Sequence, residues 1–153
     1  MGILNVTPDS FTDGGKFLDP LTAIKHAEKL VDEGADIIDI GGESTRPGAI
    51  SVDLEEECRR ILPVIKDVVS LGAAVSIDTQ KSNVMRRAID LGVSIINDVS
   101  ALESLDSRKV ISDSGVSVIL MHKRGHPRSM MENITYDNII NDLMTYFSKR
   151  IES

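Results

Sequence analysis

The sequence predicts an α/β protein made of parallel βα units: a TIM-type (β/α)8 barrel of which about the first five units are present, an incomplete barrel. Three observations lead there. A motif of glycine, small apolar residue and strand-like run recurs as Gly34-Ala-Asp-Ile-Ile-Asp, Gly72-Ala-Ala-Val-Ser-Ile, Gly92-Val-Ser-Ile-Ile-Asn and Gly115-Val-Ser-Val-Ile-Leu. Each glycine suits the left-handed position that closes a helix, so each motif reads as a helix end feeding straight into a buried strand. Successive glycines stand 38, 20 and 23 residues apart, which leaves room for one helix per unit. Finally, no Gly-x-Gly-x-x-Gly fingerprint opens a helix, which disfavours a doubly wound dinucleotide fold and leaves the barrel. A complete barrel needs eight units and typically ~250 residues. The 153 residues are therefore read as the N-terminal part of one barrel domain, with both ends expected to continue in a longer parent.

Composition sets the class. An apolar fraction of 41% beside 27% charged residues describes an ordinary globular chain with a real core. No apolar run approaches the ~20 residues of a membrane span, and Met1 is followed by Gly-Ile-Leu-Asn rather than a basic leader, so a cytoplasmic protein with no membrane partner is expected. A formal charge of -7 argues against a nucleic-acid surface built on bulk positive potential. The single cysteine, Cys58, excludes an intrachain disulfide and reads as a small buried hydrophobe on a helix.

The elements follow in order. Strands are expected at Gly2 to Val6, Asp36 to Ile40, Ala74 to Ile77, Ser94 to Asn97 and Ser117 to Met121, all parallel. The first helix has Asp19 as N-cap and Pro20 at its first position, with Ile24, Ala27 and Val31 on one face until Gly34. A second begins near Ser51 or Asp53, carries Glu55, Glu56 and Glu57 at its positive end, and buries Cys58, Ile61, Leu62 and Ile65; Pro63 should kink it. The third runs from about Lys81 to Leu91 with Val84, Ala88 and Leu91 inward. A weaker, Ser-rich fourth spans about Asp106 to Ser114, and a fifth follows Tyr136 with Ile140, Leu143, Phe147 and Ile151 at helical spacing.

The strand ends collect polar groups: Asn5, then Asp39 and the Thr45-Arg46 loop, then Asp78, Asn97 and Asp98, and His122. In a barrel these converge on one mouth. Asp accepts from N–H groups and Asn both donates and accepts, so Asp78 and Asn97 can read two edges of a nitrogen-rich ring, or else they cap the helices that follow, as does Asp98. The loop Gly41-Gly-Glu-Ser-Thr-Arg-Pro-Gly-Ala49 breaks off an apolar strand in favour of glycines, hydroxyls and a cation. That composition lets backbone and side chains, Arg46 among them, wrap a phosphate, the alternative being a solvent-facing arginine. His122 reads as a general base or a structural hydrogen-bonder, while His26 on a helix and His126 beside Pro127 read as surface groups. The segment Asn5 to Gly15 is long and polar and has the composition of a lid, in which Phe11 is either a loop anchor or a ring-stacking group.

Two long motifs, Met1-Gly-Ile-Leu-Asn-Val-Thr-Pro-Asp-Ser-Phe-Thr-Asp-Gly-Gly15 and Gly41 to Ala49, closely resemble the first two active-site loops of dihydropteroate synthase. Ser76-Ile-Asp-Thr79, Ile95-Ile-Asn-Asp98 and Leu120-Met-His-Lys-Arg-Gly125 resemble its third, fourth and fifth strand ends, in the right order, so the similarity covers essentially the whole chain. The resemblance implies a (β/α)8 transferase that joins p-aminobenzoate to a hydroxymethyl-dihydropterin diphosphate with release of pyrophosphate in folate synthesis, assisted by Mg2+. It also implies that Asp78, Asn97 and Met121 bind the pterin, that Thr45 and Arg46 contact the diphosphate, and that Phe11 and Pro47 border the p-aminobenzoate pocket where sulfonamides compete. Asn5 is implied as a metal ligand, and a homodimer as the state of the full-length parent.

Nothing in the chain matches the family's sixth-strand Asp-Pro-Gly, its seventh-strand Ser-Arg-Lys or its final-strand arginine and histidine. The leading β-hairpin is also absent. The chain alone is therefore expected to be inactive or nearly so. Two other classes stand beside the enzyme: a non-catalytic pterin or pyrophosphate binding fragment, and a pterin-dependent methyltransferase sharing the barrel. The second has no use for a diphosphate-binding Arg46.

Overall fold

The structure, a computed structural model, describes residues 1–7, 19–44, 51–123 and 135–152. Strands and helices alternate: β1 (Gly2–Asn5), α1 (Pro20–Asp32), β2 (Ile37–Gly41), α2 (Leu54–Val69), β3 (Ala74–Asp78), α3 (Ser82–Asp90), β4 (Ile95–Asp98), α4 (Leu105–Ser114), β5 (Ser117–Leu120) and α5 (Ile139–Ile151). The five strands form one sheet in the order β1-β2-β3-β4-β5, and every pair is parallel. This is the expected incomplete barrel, with each element within a few residues of its predicted place.

Local chemistry accounts for the boundaries. The Asp19 side chain accepts from Thr22 N at 3.0 Å and Pro20 opens α1. Asp53, rather than Ser51, caps α2 by accepting from Glu56 N at 2.8 Å. The repeated glycines Gly34, Gly72, Gly92 and Gly115 all take positive φ, between 68° and 100°, and turn the chain from helix toward the next strand. Pro63 lies inside α2, which continues through it as one helix to Val69.

Side chains alternate across the sheet, and the two faces differ in kind. Leu4, Ile38, Ile40, Val75, Ile77 and Ile96 share the face that packs under the helices, each no more than 2% exposed. They meet Ala23 and Ala27 of α1, Ile61, Val64, Ile65 and Val68 of α2, and Val84, Met85 and Ala88 of α3 in one core. Full burial of one such aliphatic side chain contributes about 1.5–3 kcal/mol. Cys58 joins this core as a free thiol, and burial pushes its pKa up. The opposite face carries Ile3, Asn5, Ile37, Asp39, Gly41, Ala74, Ser76, Asp78, Ile95, Asn97, Ser117 and Ile119, a mixed series with far more polar groups than the helix-covered face. A sheet whose second face is this polar has something other than a helix layer to meet there.

The last unit is the least buried. α4 buries only Ser107 and Val110, and α5 buries no residue: of the positions expected inward, Leu143 and Phe147 are half-buried, whereas Ile140 and Ile151 are 70% and 78% exposed. Among the described residues no helix is long and apolar enough to cross a membrane.

Candidate active site at the strand ends

Strand register brings the predicted polar residues together. Asn5 pairs with Gly41, Gly41 with Asp78, and Asp78 with Asn97, so the four form one row across the C-terminal ends of β1 to β4. Paired residues of parallel strands share a face, which puts Asn5, Asp78 and Asn97 on the polar one. Gly41 is the gap in the row. A Cβ there would lie 3.4 Å from Asn5 Oδ1 and 4.0 Å from Asp78 Oδ2, so the missing side chain leaves room between the two polar groups.

Two residues back along β2, Asp39 sits beneath this row and is 6% exposed. Its Oδ2 accepts from Asn97 Nδ2 at 3.1 Å, which orients the Asn97 amide. Three buried oxygens in this part of the sheet, Asp39 Oδ1, Ser76 Oγ and Asp78 Oδ1, make no hydrogen bond within the described protein. Buried polar atoms left unpaired cost about 1–3 kcal/mol each, so three together mark a place built to be completed by a polar partner. Asp78 bears the electrostatic consequence. Burial, reinforced by the neighbouring charges of Asp39, Glu57, Asp98 and Glu43, pushes its carboxyl up to about 7.

The alternative roles in helix capping separate cleanly. Asp78 does not cap α3: the N-cap is Lys81, which makes no side-chain cap bond. Asn97 is committed to Asp39. Asp98 does hold backbone, though of the turn after β4 rather than of α4, whose N-cap is Ser104. Its carboxylate accepts from Ser100 N at 2.7 Å and Leu102 N at 3.0 Å, and it is fully buried. These bonds support Ala101 and Leu102, both held at positive φ near 55°. His122 packs against the Tyr146 ring edge-on at 4.7 Å and lies near Tyr136 and Phe147, a packing role between β5 and α5. Met121 follows β5 directly and is 36% exposed. His26 is half-buried on α1. Phe11, Thr45, Arg46, Pro47 and His126 lie outside the described residues, so their expected roles rest on sequence.

A second set of charges at this end of the sheet was not foreseen. Glu57 is completely buried, and its Oε2 holds Lys81 Nζ at 2.6 Å. Lys81 Nζ also bonds Glu43 Oε2, so one ammonium joins the loop after β2 to α2. Burial works against that ammonium, but the bonds to Glu43 and Glu57 outweigh it and raise its pKa above the ordinary lysine value. Arg60 completes the anchor by donating to Gly42 O at 2.9 Å while pairing with Glu56. One signal for Glu57 was available: it lies one turn before Ile61 on the apolar stripe of α2, where a carboxylate has to find a partner.

Fold and site together define a βα-barrel protein with a row of polar side chains and buried oxygens lacking a described partner at its strand ends. Comparison with known proteins places it more closely. The family model described as pterin binding enzyme matches residues 1–153, and the chain belongs to that family. Dihydropteroate synthase of Escherichia coli K12 is 43% identical over 152 residues, covering 99% of this chain and 54% of that protein. The solved structure of Yersinia pestis dihydropteroate synthase with a sulfonamide drug superposes with a TM-score of 0.94 at 40% identity, covering 99% of this chain and 56% of that one. That of Xanthomonas albilineans dihydropteroate synthase with 4-aminobenzoic acid gives a TM-score of 0.85 at 44% identity, covering 99% and 54%. The chain thus spans about half the length of the relatives it matches.

Proposed function

We propose that the protein carrying this chain is a dihydropteroate synthase, which condenses p-aminobenzoate with (7,8-dihydropterin-6-yl)methyl diphosphate to give 7,8-dihydropteroate and pyrophosphate. The observation that carries this reading is the row Asn5, Gly41, Asp78, Asn97, with buried carboxylate oxygens of Asp39 and Asp78 that have no partner among the described residues. In this reading Asp78 accepts N–H groups from one edge of the pterin, Asn97 meets the adjoining edge in the orientation set by Asp39, and Met121 borders the ring. Thr45 and Arg46 bind the diphosphate; one charge-assisted contact of that kind contributes about 1.5–3 kcal/mol. Phe11 and Pro47 border p-aminobenzoate, in the pocket where sulfonamides would compete.

The chemistry needs little acid–base power. The C–O bond to the diphosphate breaks, the amine nitrogen bonds to the methylene carbon, and the amine gives up a proton. The protein's tasks are to hold both partners in line, stabilise charge growing on the leaving group, and keep out water as a competing nucleophile. Asn5, whose Oδ1 borders the Gly41 gap, would be the residue that holds Mg2+ there. When bound, Mg2+ would supply charge stabilisation at the departing diphosphate. Cytoplasmic residence and a homodimeric parent belong to the same proposal.

The direct test is to assay the protein that carries this chain for dihydropteroate formation and to titrate Asp78→Ala with a pterin analogue. We expect turnover from the unaltered protein and at least a tenfold loss of analogue affinity in the variant, about the value of one charged hydrogen bond. Undiminished analogue binding would remove Asp78 from the pterin site.

A further inference from the structure

The mouth presents a physical difficulty for an anionic substrate. Four carboxylates, those of Asp39, Glu57, Asp98 and Glu43, act electrostatically on Asp78, so this end of the sheet is strongly acidic. A diphosphate brought there meets repulsion unless some of that charge is cancelled. The described cations near the loop after β2 are Arg60, whose donors go to Glu56 and Gly42 O, and Lys81, which is bonded to both Glu43 and Glu57. Glu57 is fully buried and its Oε1 has no partner among the described residues, so the Lys81 bond to Oε2 is the described compensation for its charge. Glu43 is only partly buried and lies two residues beyond the row that contains Gly41.

We propose that Lys81 is a positioning and specificity residue for the anionic half of the substrate: by cancelling the Glu43 and Glu57 charges beside the mouth, it admits a diphosphate without touching it. This rests on the functional reading above and deepens it. The alternative for the same bridge is purely mechanical, with Lys81 merely tying the β2 loop to α2, and the two make opposite statements about Glu43. If charge is what matters, deleting the Glu43 carboxylate removes a repulsion. If tethering is what matters, deleting it cuts the tether.

The test uses the whole protein that carries this chain, with two probes titrated by calorimetry at low and high salt: inorganic pyrophosphate for the anion site and 6-hydroxymethylpterin for the ring site. Lys81→Gln is expected to weaken pyrophosphate roughly tenfold at low salt, with the loss shrinking as salt rises, because one uncompensated carboxylate near a multiply charged ligand has about that effect. Affinity for 6-hydroxymethylpterin should stay within about twofold, and Lys81→Arg should restore pyrophosphate binding. Glu43→Gln should bind pyrophosphate as tightly as the unaltered protein or more tightly, and it decides the matter if Lys81→Gln does not fold. A Glu43→Gln protein that loses pyrophosphate affinity, or a folded Lys81→Gln protein that loses neither probe or both equally, overturns the proposal. An unaltered protein that binds neither probe would overturn the functional reading, and this inference with it.

Discussion

At the scale of single residues, Asp78 is the group whose behaviour is most constrained by its surroundings. Its carboxyl is raised from an ordinary value of 3.8 to about 7, so the folded state holds the proton more tightly than the unfolded chain does. The consequence for stability has a definite sign: the cost of the ionised form is absent below about pH 4 and fully developed above about pH 7. Asp78→Asn should therefore be more stable than the unaltered chain above pH 7, by up to roughly 4 kcal/mol, with the difference vanishing toward pH 4. Urea titrations of both proteins across that range check this, and a constant difference would contradict it. Ligand binding should run the other way. A carboxylate that accepts pterin N–H groups must be ionised, so analogue affinity should fall up to about tenfold per pH unit below 7, with proton release on binding measurable by calorimetry in buffers of different ionisation enthalpy. Asp78 and Asn97 were legible in the sequence because each is a polar residue ending an apolar run. The Glu57–Lys81 pair was not, because its members lie 24 positions apart and only packing of α2 against β3 and α3 brings them together.

At the scale of elements, β2 runs into α2 through a close approach at Gly42. A Cβ on Gly42 would sit 2.7 Å from Ile61 Cγ2 and 3.1 Å from Glu57 Cγ, both on buried side chains. Gly42→Ala should destabilise the fold by about 1–3 kcal/mol, the usual penalty for overpacking a core, as read by chemical denaturation. Lys81→Gln acts at the same junction by a different route. Leaving Glu57 buried without its cation should cost about 3 kcal/mol or more, and a variant as stable as the parent would show that Glu57 finds another partner. The early helices were readable from sequence because capping, periodicity and closing glycine all agree in α1 and α2, and periodicity and closing glycine agree in α3. For α5 the spacing of apolar residues indicated a helix, yet spacing does not reveal what covers the stripe, and here Ile140 and Ile151 face solvent.

At the scale of the whole molecule, β1 and β5 each have one neighbouring strand among the described residues, so the outer edge of each has no described strand beside it. Together with exposed Ile140, Met144 and Ile151 on α5, this makes a 153-residue chain prepared alone prone to self-association. Sedimentation velocity over a hundredfold concentration range should show it, and a sharp monomer throughout would contradict it. The barrel class was legible from the repeated glycine motif, since each repeat became a helix end and a strand. The polarity of the inner face was less so. It depends on which strand residues share a row, and row membership is set by register between strands rather than by any single segment.

The strand order has a further consequence for how the molecule comes into being. Each strand pairs with the one that follows it in sequence, with no insertion between earlier strands. Every closure therefore spans a single βα unit rather than several, which limits its entropic cost. A nascent chain can add unit to unit as it leaves the ribosome, each new strand docking on an edge already waiting. The row that holds Asn5, Gly41, Asp78 and Asn97 would then assemble from its first member to its last in the order of synthesis.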